Sequence, residues 1–207
     1  MSIQKVMEGK VVAVIRNSTA DNIIPIIERL SEGGVNAVEI TAETKGFTEI
    51  LNKAVDYFED SEVLIGAGTV NTVREAKEAL EAGAAFIVSP ALNEEVVKYV
   101  KGRDGLMIPG VLTPSEVMEA YHLGADMVKI FPASVMGPSY IKSIRIPLPD
   151  IPIMVTGGIH EGNMKEFFDA GAAVAGLGSE LVDARNLTDE ALGEISEKAG
   201  RMKALVQ

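Results

Sequence analysis

Eight short segments rich in valine and isoleucine recur along this chain at spacings of about 20 to 25 residues, each followed by a stretch of helical character. They are residues 11–16, 37–41, 64–69, 86–90, 107–111, 127–132, 153–156 and 174–179. Strands that alternate with helices become parallel neighbours, because a tight hairpin leaves no room for a helix between its arms. The punctuation agrees. Residues 19–31 and 72–81 carry helical patterns, and Thr113-Pro114-Ser115-Glu116 supplies a cap, a first-turn proline and an early carboxylate. Gly33-Gly34, Gly83, Gly124 and Gly171 stand where a left-handed residue ends a helix. Eight such units predict an α/β fold, a (β/α)8 TIM barrel in one domain over residues 1–207, with residues 2–9 as an extra amino-terminal helix. A doubly wound open sheet is the structural alternative.

Composition narrows the function. No apolar run is long enough to span a bilayer, and Lys5, Glu8 and Lys10 interrupt the amino-terminal residues where a cleavable signal would need an apolar stretch. The absence of cysteine excludes disulfides and thiolate chemistry and fits a cytoplasmic location. A formal charge of −11 argues against nucleic acid. It also repels small anions at long range, so any anion site must be built from local groups.

Within residues 127–132, Val128 and Ile130 alternate with Lys129, so the aliphatic pair and the ammonium point to opposite faces of the strand. In a barrel with helices outside, that alternation aims Lys129 inward, near the carboxyl end of its strand. A desolvated amine there can attack a carbonyl to form a Schiff base; the other reading is a packed stem whose head escapes to solvent. In Ala37-Val38-Glu39-Ile40-Thr41 the same alternation turns Glu39 and Thr41 inward. An inward carboxylate and an inward lysine in one barrel share either a reaction site or a structural ion pair.

Small residues mark the other strand ends. Gly66-Ala67-Gly68-Thr69 leaves room for a ligand, although glycines in a barrel corner also serve packing. Thr156-Gly157-Gly158 and Gly176-Leu177-Gly178-Ser179 follow the seventh and eighth strands, where many barrels hold a phosphate. Tight βα turns use the same residues. His122 and His160 are isolated and make a poor metal site. The charges of residues 183–189 read as a solvated face.

Taken together, several stretches resemble the 2-keto-3-deoxy-6-phosphogluconate aldolase / 4-hydroxy-2-oxoglutarate aldolase family of class I aldolases. They are Val38-Glu39-Ile40-Thr41, Gly66-Ala67-Gly68-Thr69-Val70, Ser89-Pro90, Pro109-Gly110-Val111-Leu112-Thr113-Pro114-Ser115-Glu116, Lys129-Ile130-Phe131-Pro132, Thr156-Gly157-Gly158-Ile159 and Gly178-Ser179. The resemblance implies a homotrimeric barrel that needs no metal or other cofactor and takes a small keto acid. It implies a Schiff-base lysine at Lys129, a proton-transferring glutamate at Glu39 and a carboxylate-binding threonine at Thr69. It also implies substrate contacts at Pro90, an aromatic wall at Phe131, and a phosphate site around Thr156, Gly157, Gly158, Gly178 and Ser179.

One departure stands out. Many members carry an arginine four residues after the glutamate, where it helps hold the pyruvate carboxylate, and here that position is Glu43. A carboxylate there would repel the substrate, so Glu43 is expected to point away, with Arg16 supplying the positive charge and Lys45 a looser candidate. A phosphate-binding isomerase or epimerase and a non-catalytic sugar-phosphate binder are the competing functions. The isomerase calls for two carboxylates or a metal at the strand ends, and the binder tolerates Lys129→Met with ligand affinity kept.

Overall fold

A computed structural model describes residues 3–206. Helix α1 (Ile3–Gly9) leads into β1 (Val11–Ile15), followed by α2 (Ile23–Glu32), β2 (Ala37–Thr41), α3 (Phe47–Tyr57), β3 (Leu64–Gly68), α4 (Val73–Glu81) and β4 (Ile87–Val88). The chain continues through α5 (Glu94–Lys101), β5 (Met107–Ile108), β6 (Gly110–Val111), α6 (Pro114–His122), β7 (Val128–Ile130), α7 (Ala133–Met136) and α8 (Pro138–Arg145). It ends with β8 (Ile153–Thr156), α9 (Met164–Asp169), β9 (Val174–Leu177), a 3-10 turn (Ala184–Asn186) and α10 (Asp189–Ala204). The amino-terminal helix is present as expected, except that Ser2 lies outside the described residues.

All strand pairings are parallel, in the order β5-β4-β3-β2-β1-β9-β8-β7-β6. The two ends of that order are one chain segment. Pro109 has no N–H to donate, so the fifth strand breaks into β5 and β6, while the Pro109 carbonyl still accepts the Lys129 N–H at 2.8 Å. The sheet therefore closes, and the expected eight strands become nine pieces in a (β/α)8 barrel. An open doubly wound sheet is ruled out by this closure.

Helix ends follow their local chemistry. Thr72 and Thr113 each form a capping box, with Glu75 and Glu116 respectively, which removes orphan amides from the first turns of α4 and α6. Helix α2 starts later than the sequence pattern suggests. Asn22 Oδ1 accepts the Thr19 N–H at 2.8 Å and Thr19 Oγ1 accepts the Asn22 N–H at 3.3 Å, fixing a turn ahead of Ile23. Of the Gly33-Gly34 pair only Gly34 is left-handed, with φ of 82° against −81° for Gly33.

Two apolar layers result from strand alternation. Val38, Ile40, Ile65, Val128, Ile130 and Val155 face outward against the helices. Val12, Ala37, Leu64, Phe86, Ile108, Met127, Met154 and Val174 fill the barrel interior toward its amino-terminal end, with Val6 of α1 as the plug. Nearer the carboxyl ends the inward positions change character to Glu39, Thr41, Gly66, Gly68, Gly110, Lys129, Thr156 and Gly176. The interior is thus a packed apolar base beneath a polar mouth. None of the helices is long and apolar enough to cross a membrane among the described residues.

Candidate active site

Lys129 is placed by β7, paired in register with Gly110 on one side and Met154 on the other. Only 2 % of the residue is exposed, so its head does not reach bulk solvent. Its Nζ lies 5.6 Å from the centre of the Phe131 ring, within range of a cation–π attraction. The snorkelling alternative is thereby set aside.

Glu39 is fully buried on β2, and neither carboxylate oxygen has a hydrogen-bond partner. Burial pushes its carboxyl above the ordinary range; the charges of Lys129 and then Arg16 pull it back, and Glu43 pushes it further up. Lys129 therefore acts on Glu39 through space, without the direct hydrogen bonds that close a structural ion pair. The Gly68 position makes room for this carboxyl, since a Cβ there would sit 2.5 Å from Glu39 Oε1. Gly66 leaves no ligand space, because a Cβ would meet the Phe86 ring at 2.4 Å. The sequence motif thus holds one packing glycine and one that admits the acid.

A cavity of ≈ 180 Å³ at the ends of β8 and β9 has Arg16, Phe131, Thr156, Gly157, Gly158, Gly178 and Ser179 in its lining, and Lys129 and Glu39 are not part of that lining. Gly157 and Gly158 have φ of 92° and 69°, a path that side chains resist, and a Cβ at Gly158 would overlap Ser134 Oγ at 2.1 Å. Thr156 Oγ1 is buried without a partner beside the space left by Gly176, where a Cβ would approach it to 2.4 Å. Seven residues singled out from the sequence thus meet at one site. Thr69 and Pro90 stand at the β3 and β4 ends and do not line this cavity. Thr69 is half-buried and holds φ of 56°, unusual for a β-branched residue and a sign of local strain.

Glu43 does not turn away from the mouth. Its Oε1 lies 3.3 Å from Arg16 Nε, because the arginine expected to replace the missing cation is also the nearest partner for this carboxylate. Lys45 is exposed and lines a different cavity with Ser18 and Thr44. A neighbouring cavity of ≈ 190 Å³ shares Val14, Arg16 and Ser179 and adds Asp183 and Arg185. The charges of residues 183–189 read from the sequence as a solvated face; the exposed Arg185 and the half-buried Asp183 form an ion pair of 3.4 Å and stand at the rim of this second cavity.

A buried amine near an acid that resists ionisation, at the carboxyl-terminal mouth of a barrel, is equipped for imine chemistry. An isomerase barrel would need a second acid free to act or a metal cluster; the second acid at this mouth, Glu43, is taken up by Arg16 at 3.3 Å, and no group of three potential metal ligands converges among the described residues. The fold and site define a class I aldolase. Sequence comparison carries this to the family: the model for KDPG and KHG aldolase matches residues 3–198, and the chain belongs to that family.

The chain is 35% identical over 171 residues to the 2-dehydro-3-deoxy-6-phosphogalactonate aldolase of Escherichia coli (strain K12), covering 82% of this chain and 83% of the relative. It is 33% identical over 189 residues to the 2-dehydro-3-deoxy-phosphogluconate aldolase of Treponema pallidum (strain Nichols), covering 91% and 88%. The crystal structure of the KDPG aldolase from Legionella pneumophila, with pyruvate captured as a covalent carbinolamine intermediate, matches at a TM-score of 0.87 and 30% identity. That match covers 94% of this chain and 95% of the other.

Proposed function

We propose that this chain cleaves 2-keto-3-deoxy-6-phospho sugar acids to pyruvate and glyceraldehyde 3-phosphate, and 4-hydroxy-2-oxoglutarate to pyruvate and glyoxylate. The observation that carries this reading is the buried Lys129 facing the unpartnered Glu39 carboxyl. Lys129 Nζ, as the free amine, adds to the keto carbon to give a carbinolamine. Glu39, through a water, supplies the proton that lets hydroxide leave as water and the iminium form. The Glu39 carboxylate left by that step takes the proton of the fourth-carbon hydroxyl, through the same water, and the bond between the third and fourth carbons breaks. The electron pair passes into the iminium, giving an enamine and the free aldehyde. Protonation of the enamine at its third carbon and addition of water to the imine release pyruvate and regenerate the amine.

In this scheme Arg16 and Thr69 take the keto acid's carboxylate, with Pro90 and the Phe131 ring as walls. Thr156, Gly157, Gly158, Gly178 and Ser179 take the distal phosphate. Support for the phosphate end comes from the two left-handed glycines, which let the backbone approach a ligand closely, and from the buried, unpartnered Thr156 hydroxyl beside them. On the strength of the family resemblance, the chain works as one domain, as a homotrimer, in the cytoplasm.

A coupled pyruvate-release assay tests the substrate. The panel is the phosphorylated gluconate-type and galactonate-type keto acids, their unphosphorylated forms and 4-hydroxy-2-oxoglutarate. Phosphorylated substrates are expected to give the highest kcat/KM, and a panel in which none releases pyruvate refutes the assignment. In the same assay Arg16→Ala should raise KM by about 10- to 100-fold, the worth of a charged hydrogen bond. With a formal charge of −11 on the whole chain, no long-range field compensates for that loss.

A further inference from the structure

We propose that Glu43 is a positioning residue: it holds Arg16 by Nε so that the terminal guanidinium nitrogens face the substrate's anionic group, and its charge acts on the buried Glu39 carboxyl nearby. The inference rests on the function proposed above and concerns the position where the family resemblance leads to the expectation of an arginine.

Three observations support it. First, the contact of 3.3 Å is made to Arg16 Nε, the inner nitrogen. A carboxylate on that edge leaves both terminal nitrogens for a second oxyanion, the fork that arginine presents to carboxylates and phosphates. Nη1 lies against the β9 turn, 3.4 Å from where a Gly178 Cβ would stand, so the remaining edge borders the cavity.

Second, the backbone on both sides of the pair is tied down. The Ala42 N–H donates to Gly68 O at 2.8 Å, and the Thr44 N–H donates to Thr41 O at 3.0 Å. Thr44 Oγ1 accepts the Asn17 N–H at 3.3 Å and lies 3.2 Å from Thr41 Oγ1. The residues beside Arg16 and Glu43 are therefore bonded to each other, so the backbone that carries the two side chains is already fixed before the charges meet. Half-exposed ion pairs contribute little to stability, which makes a structural purpose for this one a weak explanation.

Third, the charged groups facing Glu39 come from three elements: Lys129 on β7, Arg16 after β1 and Glu43 after β2. Lys129 and Arg16 favour the ionised acid, and Glu43 opposes them. Glu43 also draws Arg16 toward itself. Removing its charge should therefore release the Glu39 proton more easily, whereas an inert rim residue would leave that titration alone.

The test compares wild type, Glu43→Gln, Glu43→Ala, Arg16→Ala and the Arg16→Ala/Glu43→Ala double variant. Two readouts are needed: pyruvate release as a function of pH, and a 13C carboxyl NMR titration of Glu39, assigned by its disappearance in Glu39→Gln. Glu43→Ala should raise KM about two- to fivefold with plateau kcat little changed, the range expected for an exposed pair. That KM effect should vanish in the Arg16→Ala background. Glu43→Gln should move both the Glu39 titration and the limb of the pH profile that it sets to lower pH. An unmoved Glu39 titration in Glu43→Gln, or KM effects that add in the double variant, overturns the proposal. The NMR titration needs no turnover. If wild type cleaves none of the panel substrates, the functional assignment fails while the Glu43 claim is still decided.

Discussion

Lys129→Met loses pyruvate release by at least about 10⁴-fold and keeps the barrel folded, as removal of a covalent nucleophile requires. Methionine matches the unbranched stem of lysine, and the space it enters borders Met154 and the Phe131 ring, so the packing survives. Lys129→Arg is no milder, because a guanidinium stays charged and does not add to a carbonyl. Borohydride with pyruvate should irreversibly add mass at Lys129 of the wild type, mapped by peptide mass spectrometry, and add nothing in Lys129→Met. An adduct at another lysine, or a Lys129→Met variant with near-normal turnover, would sink the Schiff-base assignment. Retained phosphosugar binding by this variant would not distinguish the aldolase from a binder, so the trapped adduct is the deciding measurement.

The inward placement of Lys129 was legible because strand alternation is a local property. The Val128-Lys129-Ile130 and Val38-Glu39-Ile40 patterns each fix which face is apolar, and the outward aliphatics do pack under the helices while the ionisable residues turn in. Strand order and closure followed from the recurrence of βα units, and the family resemblance from motifs in the right order. Contacts between distant strands were not legible in the same way. Nothing in Gly66-Ala67-Gly68 tells that Phe86 fills the space over the first glycine while the Glu39 carboxyl fills the space over the second. Nor does the sequence near Glu43 point to Arg16, which reaches it only because β1 and β2 are adjacent in the sheet. Arg185 was hidden for the same reason: the turn after β9 folds back over the β1 end, and charge pattern alone cannot show that return.

Glu39→Gln should lower kcat by about 10²- to 10⁴-fold, the usual worth of a positioned acid or base, and should also change how stability depends on pH. In an unfolded chain this carboxyl titrates near its ordinary value of 4.5, and in the folded barrel burial holds it higher. Between those two values the folded protein keeps a proton that the unfolded chain has released. Folding then takes up a proton, so the Glu39 contribution makes stability fall as pH rises through that window. Below the window the acid is neutral in both states and the contribution is absent; above it the full cost of a buried, unpartnered carboxylate is present. Glutamine does not titrate, so Glu39→Gln should gain on wild type across the window and level off above it. Urea denaturation of both proteins at a series of pH values measures the difference. A difference that stays flat with pH, or that runs in favour of wild type as pH rises, would mean that the Lys129 charge outweighs burial at Glu39. The acid would then spend neutral pH as a committed anion, unable to deliver the proton that dehydration of the carbinolamine needs.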